Sequence, residues 1–185
     1  MGDTSPSTEN THTASGQIVR ERIAFIALGA NLPSVIGEPS ATVRAAVNEL
    51  AALGEIVARS SLYSTEPVGY KDQPSFINAV VEMRTPLAPH AFLDGLLAIE
   101  KAFGRDRHRQ IAKGPRTLDL DLLLIDDLVL DTEALTLPHP SMHERRFVLE
   151  PLAEIAPEWV HPLLRRTMAD LLSSLPGQTA PKIRG

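Results

Sequence analysis

Apolar residues alternate with polar ones in some stretches of the chain and recur every three or four positions in others. The switch between the two periods marks the elements. The run "RIAFIALG", residues 22–29, predicts a strand ending at Gly29. Val43, Ala46, Val47, Leu50 and Leu53 then recur at helical steps, with Ser40 placed to cap the helix and Gly54 to stop it. "IVARSSLY" predicts a second strand and "FINAVVEMR" a third, and between them "STEPVGYKDQPS" forms a long polar loop with two prolines and a glycine. A second helix begins near Pro89, buries Phe92, Leu93, Leu96, Leu97, Ile99 and Phe103, and ends at Gly104. The basic loop "RDRHRQIAKGPRT" leads into the strand "GPRTLDLDLLLI". Short strands around "LVL" and "ALTL", then helical segments at "FVLEPLAEIA" and "TMADLLSSL", complete the pattern.

Strand, helix, strand, strand, helix, strand is the order of a split βαβ, ferredoxin-like α+β sandwich. It predicts a mainly antiparallel sheet with helices packed on one face. Residues 1–20 are rich in Ser and Thr and nearly devoid of large apolar side chains, so they read as a disordered tail. Residues 21–178 read as one domain and 179–185 as a C-terminal tail, with no internal repeat.

Two aspartates stand in the middle of an otherwise apolar strand. Residues i and i+2 of a strand point the same way, so Asp119 and Asp121 share one face while Leu118, Leu120 and Leu122 fill the other. Their Cα atoms lie roughly 6.5 Å apart. Adjacent carboxylates repel and are most stable when a cation neutralises them, so the spacing suits divalent metal ions. A solvent-facing pair on a half-exposed strand has the same pattern. The preceding "KGPR" favours the metal reading, because Lys113 and Arg116 bring cations to the same strand entrance, as metal-bound polyphosphate requires.

Composition narrows the chemistry. With 185 residues and 43% hydrophobic content the chain can bury a substantial core. A net charge of -5 argues against a general nucleic-acid binder. There is no cysteine, which excludes disulfides, thiolate metal sites and thiol nucleophiles and fits a reducing cytoplasm. No apolar run approaches the roughly 20 residues of a membrane span. Any metal must be held by oxygen or imidazole. His139 sits between prolines in "LPHPSMHERRFVLEPL", with Arg145, Arg146 and Phe147 close behind, whereas His12 and His161 read as tail and loop residues without partners.

Taken together, "GPRTLDLDLLLI", "EPVGYKDQPSFINAV" and "LPHPSMHERRFVLEPL" closely resemble the hydroxymethyldihydropterin pyrophosphokinases of folate biosynthesis, over roughly residues 23–175. The resemblance implies a cytoplasmic, ferredoxin-like monomer. It also implies transfer of an intact pyrophosphoryl group from ATP, the co-substrate, to 6-hydroxymethyl-7,8-dihydropterin, releasing AMP. Carried over by motif, two Mg²⁺ fall to Asp119 and Asp121, and the pterin pocket to Thr65, Glu66, Val68, Phe76, Asn78 and Phe147. ATP contacts fall to Glu100, Arg107, Arg116, His139 and Arg145, with Arg107 and Arg116 acting in catalysis beside the two aspartates. The residue chemistry agrees, since a flat heterocycle favours aromatic faces and an amide edge, and the guanidinium fork suits phosphate. Ala112 and Lys113 stand where relatives carry an arginine and a tryptophan; Lys113 or Arg109 is the available cation, and Trp159 lies too far along the chain to restore stacking. Ala134 and Pro140 replace an arginine and a tyrosine of some relatives.

A second reading is a two-metal nucleotidyltransferase, since paired aspartates on ferredoxin-like sheets also serve that reaction. An RNA-recognition domain of the same topology is disfavoured, because aromatic residues are 4% of the chain and the strand centre is acidic.

Overall fold

Alternation along β1 (Arg22–Ala30) sends its side chains into two different cores. Ala24, Ile26, Leu28 and Ala30 enter one, and Phe25 enters the other. A strand buried on both faces in this way belongs at the centre of a sheet. In this computed structural model, which describes residues 20–105 and 114–183, β1 pairs antiparallel with β4 (Phe76–Thr85) on one side and with β5 (Asp119–Ile125) on the other. Beyond β4 lie β2 (Glu55–Arg59) and β3 (Leu62–Thr65), both antiparallel to it, and β8 (Lys182–Ile183) borders β3. The sheet order is β5-β1-β4-β3-β8, with β2 also on β4, which is the split βαβ arrangement expected from the element order. β6 (Leu130–Asp131) and β7 (Thr136–Leu137) form a separate small hairpin.

The second strand is broken where the sequence reads as continuous. Ser60 occupies the break: its N–H donates to the Val80 carbonyl at 2.9 Å, and its Oγ accepts from the Val80 N–H at 2.9 Å. A hydroxyl thus substitutes for a backbone acceptor and lets β2 and β3 bend apart.

α1 (Pro39–Leu50) and α2 (Pro89–Ala102) cover one face. Val43, Ala46, Val47, Leu50, Phe92 and Leu96 pack there against Ile26, Leu28, Val81 and Met83. Both helices begin with proline in the first turn, where its missing N–H has no intrahelical partner to lose, and neither has a side-chain cap. Ser40 is therefore inside α1 rather than its cap. Gly54 does more than stop that helix: a Cβ there would lie 2.3 Å from the Arg84 carbonyl oxygen, so the chain can pass β4 only as glycine.

The other face is not bare, contrary to the expectation of helices on one side. α3 (Arg146–Ile155) and α4 (Met168–Ser173) pack Val148, Leu149, Leu152, Met168 and Leu171 against Phe25, Val80 and Leu123. A register shift in β5 opposite Phe25 and Ile26 lets Leu123 and Leu124 both feed this second core, while Leu118, Leu120 and Leu122 stay in the first. Trp159 joins it, edge-on to Phe25 at 4.8 Å between ring centroids. His161 is buried too, its Nδ1 accepting from the N–H groups of Leu163 and Leu164, so it is a turn anchor and not a loop residue without partners.

The C-terminal residues also differ from a free tail. The β8 pairing and a hydrogen bond from the Ser64 N–H to the Pro181 carbonyl, 2.9 Å, bind residues 181–183 to the sheet edge. No helix of the described residues is long and apolar enough to cross a membrane.

Candidate active site

In one row across the sheet, Asp119, Gly29, Asn78 and Tyr63 are successive cross-strand neighbours. Asp121, Ala27 and Val80 form the next row. Pleating puts all of these on the face that carries α3. Beside Asp119 and Asn78 this face opens into a cavity of about 340 Å³. Its floor includes Gly29, Asn78, Asp119 and Asp121, its rim Thr65, Glu66, Val68 and Phe76, and its far wall His139, Arg145 and Phe147.

The cavity has an apolar side and a charged side. On the first, the Asn78 amide donates to the Thr65 hydroxyl at 2.7 Å, which orients both polar groups in a cavity that Phe76 and Phe147 also line. Glu66 accepts a bond from Ser75 Oγ at 3.4 Å, and Val68, 67% exposed, stands at the open edge. Gly29 keeps the floor low: a Cβ there would lie 3.1 Å from Asn78 Oδ1. Gly29→Ala should therefore cost about 1 kcal/mol of stability through displacement of Asn78, measured by chemical denaturation.

On the charged side, Asp119 is paired with both Arg105 and Arg116. The Arg116 guanidinium also lies 5.6 Å from the Phe76 ring centroid, joining the two halves of the cavity. Asp121 faces Arg145 at 3.9 Å, and that guanidinium lies 5.9 Å from the Phe147 ring centroid. Burial and then the Asp119 charge push the Asp121 carboxyl above the usual range, with His139 and Arg145 opposing them. A divalent cation would relieve both causes. Burial also lowers the pKa of His139 despite the pull of Asp121. The His139 backbone N–H donates to the Leu123 carbonyl, 2.8 Å, and the ring Nδ1 accepts from the Ser141 N–H, 3.2 Å, which leaves Nε2 for a ligand.

Glu100 is placed differently from an ATP contact. It is 1% exposed, lies beneath the cavity instead of lining it, and accepts from the Leu120 N–H at 2.8 Å while pairing with Arg105. Arg107 lies outside the described residues, as do Arg109, Ala112, Lys113 and His12. Two further contributors stand out: Arg105, read in the sequence only as one cation of the basic loop, and Asn31, which was not singled out. Arg105 reaches the pocket because it directly follows the helix-ending Gly104 and its N–H returns to the Glu100 carbonyl at 3.1 Å. Asn31, 2% exposed, sends its amide to Gln73 Oε1 and the Pro74 carbonyl, both at 3.0 Å, and receives the Arg116 N–H at 2.8 Å. It thereby fixes the loop before β4 to the approach of β5. A polar residue just past a strand end is the only signal it carried.

Comparison with known proteins agrees with this geometry. The family model described as 7,8-dihydro-6-hydroxymethylpterin-pyrophosphokinase matches residues 25–157, a range that takes in α1, α2, α3 and the sheet except β8 and the first residues of β1. The chain belongs to this pyrophosphokinase family. The chain is 47% identical over 135 residues to the 2-amino-4-hydroxy-6-hydroxymethyldihydropteridine pyrophosphokinase of Bacillus subtilis, covering 72% of this chain and 77% of that one. It is 38% identical over 161 residues to the folic acid synthesis protein fol1 of Schizosaccharomyces pombe, covering 86% of this chain and 21% of the yeast protein. The solved wild-type HPPK-DHPS of Plasmodium falciparum superposes with a TM-score of 0.63 at 17% identity, over 90% of this chain and 45% of that one, and so shares the fold. The chain spans only part of these last two proteins, and their further activities stay with them. What the family brings is an enzyme of pyrophosphoryl transfer from ATP to hydroxymethyldihydropterin in folate synthesis. Among the described residues no group of three or more His, Cys, Asp or Glu gathers as metal ligands.

Proposed function

We propose that this pocket performs the pyrophosphoryl transfer with two Mg²⁺ held at Asp119 and Asp121, ATP on the arginine side and the pterin between Phe76 and Phe147. The observation that carries the reading is the adjacency of two aspartates and three arginines to an aromatic slot with an oriented amide. The oxygen-only donor set and the raised pKa of Asp121 fit a hard divalent cation. Held by Asp119 and Asp121, the ions would supply positive charge against the phosphates and make the pterin hydroxyl a better nucleophile. Arg116 and Arg145 sit at opposite edges of the carboxylate pair and offset charge on the transferring and leaving oxygens. Arg105 and Arg116 exchange Asp119 for phosphate when nucleotide and metal arrive, so the ion pairs of the free protein hold the arginines in place for the substrate. His139 Nε2 donates to a phosphate oxygen. The hydroxyl attacks the β-phosphorus in line with departing AMP, and no side chain forms a covalent bond. Arg107 belongs to the same set of ATP contacts by motif alone. The chain acts as a cytoplasmic monomer in this reading.

The direct test is to mix the protein with ATP, Mg²⁺ and the hydroxymethyl pterin and to identify the nucleotide released. AMP is expected. Release of pyrophosphate, with the nucleotide joined to the pterin, would instead make the chain a nucleotidyltransferase.

Asn78 separates the two substrates. Asn78→Ala should weaken pterin binding by about 1–3 kcal/mol, the cost of a buried heterocycle edge losing its partner, and leave ATP binding nearly unchanged. Calorimetric titration of each ligand measures both. Equal losses would make Asn78 a prop for its strand.

A further inference from the structure

Away from the substrates, on the edge of the sheet beyond the pterin side, one carboxylate gathers four contacts from three elements. Glu154 Oε2 accepts from the Tyr63 hydroxyl at 2.7 Å and the Ser61 N–H at 3.1 Å, and Oε1 accepts from Ser61 Oγ at 2.7 Å. Lys182 Nζ stands 3.2 Å from Oε1. One turn earlier on α3, Glu150 accepts from the Ala180 N–H at 3.0 Å and from Arg146 Nε at 2.7 Å. We propose that Glu154 is a positioning residue for the pterin side of the pocket, tying α3, which carries Phe147, to β3, which carries Thr65, through Tyr63 and the C-terminal strand.

The spacing explains why one helix can hold that strand. Residues four apart on a helix lie about 6 Å apart along its axis on one face. Residues two apart on an extended chain lie about 6.6 Å apart on one side. Glu150 and Glu154 therefore match Ala180 and Lys182 pair for pair. β3 needs such support, because it is four residues long and its outer neighbour, β8, is only two. Tyr63 is two residues from Thr65 on the same face and directly opposite Asn78. A shift of β3 would thus move Thr65 relative to the Asn78 amide it accepts from. The anchor holds its charge pattern: burial would raise the Glu154 pKa, but hydrogen bonds from Tyr63 and Ser61 and the Lys182 contact outweigh it and lower it. Burial first, then the Glu154 bond, push the Tyr63 phenol up, so it stays a donor. None of these groups lines the cavity.

The proposal rests on Thr65 and Phe147 facing the pterin, and the test separates the two readings. Steady-state kinetics of the full chain should show Glu154→Ala raising the KM for the pterin about tenfold, with kcat and the KM for ATP changed by less than about twofold. Glu154→Gln keeps an acceptor for Tyr63 and Ser61 and should bring the pterin KM back to within about threefold of the native value. Tyr63→Phe, which removes only the hydroxyl, should give an intermediate rise and remains informative where the Ala variant folds poorly. Phe147→Ala serves as the reference for the pocket itself and should raise the pterin KM. If Phe147→Ala does so while Glu154→Ala and Tyr63→Phe leave the pterin KM unchanged, or raise both KM values alike, the positioning role is overturned and the pocket stands. If Phe147→Ala has no effect on the pterin KM, the pocket assignment fails and the positioning role with it.

Discussion

Asp121→Asn is expected to lower turnover at least about a hundredfold, a loss of the size seen when a preorganised transition-state contact is deleted. The substitution keeps the volume, the strand and the leucine face of β5 and removes one charge from the carboxylate pair. Asp119→Asn should lose as much, but its free protein should behave differently. Asp119 is the shared partner of Arg105 and Arg116, so neutralising it leaves two arginines less compensated, whereas among the described residues Asp121 has an ion-pair contact only with Arg145, at 3.9 Å. Without metal, Asp121→Asn should therefore be neutral or slightly stabilising, because burial and repulsion by Asp119 already disfavour the charged form, while Asp119→Asn should be destabilising. Thermal unfolding in chelator and single-turnover rates with saturating Mg²⁺ measure the two effects. Near-normal rates with unchanged Mg²⁺ dependence in both variants would remove the aspartates from the site. A pH dependence follows with its sign. Because the Asp121 pKa is raised, protons compete with Mg²⁺ at higher pH than at an ordinary carboxylate. The apparent Mg²⁺ affinity of the native chain should thus begin to fall while an unperturbed aspartate would still be ionised.

Glu100→Ala should cost about 3 kcal/mol of stability, because the charge removed is buried and paired. The Leu120 N–H loses its acceptor, and Arg105, whose side chain is 9% exposed, keeps Asp119 but loses Glu100. Without Glu100 the balance of charge at Arg105 shifts toward Asp119, so catalysis should fall as well. Chemical denaturation measures the first effect. The second is read from kcat in the folded fraction. A stable variant with a raised KM for ATP and normal kcat would instead make Glu100 the nucleotide contact that its motif position implied.

Much of this protein follows from the order of its residues. The periods of β1, α1, β4, α2 and β5 are set by local burial, because each of these elements is amphipathic or fully buried and long enough to show its repeat. The same alternation put Asp119 and Asp121 on one face and Leu118, Leu120 and Leu122 on the other, and the motif surrounding them carried the family. What local pattern could not supply was which face of the sheet each element would cover. α3 contains a proline and α4 has six residues, so neither announces its packing, and only the docked structure shows that they pack against Phe25 and Trp159 and that α3 brings Phe147 to the pocket's far wall. Pairings between distant residues were equally out of reach. Glu100 is charged like a ligand contact, yet it is buried and its Oε1 accepts from Leu120 and Arg105 once α2 lies under β5. The stretch at 179–183 is short, and its residues 182 and 183 become a strand by pairing with β3, while Glu150 and Glu154 take contacts from Ala180 and Lys182. Periodicity is a property of neighbours in sequence and survives in the sequence; a partner's identity depends on which elements meet, and that is decided when the two cores close.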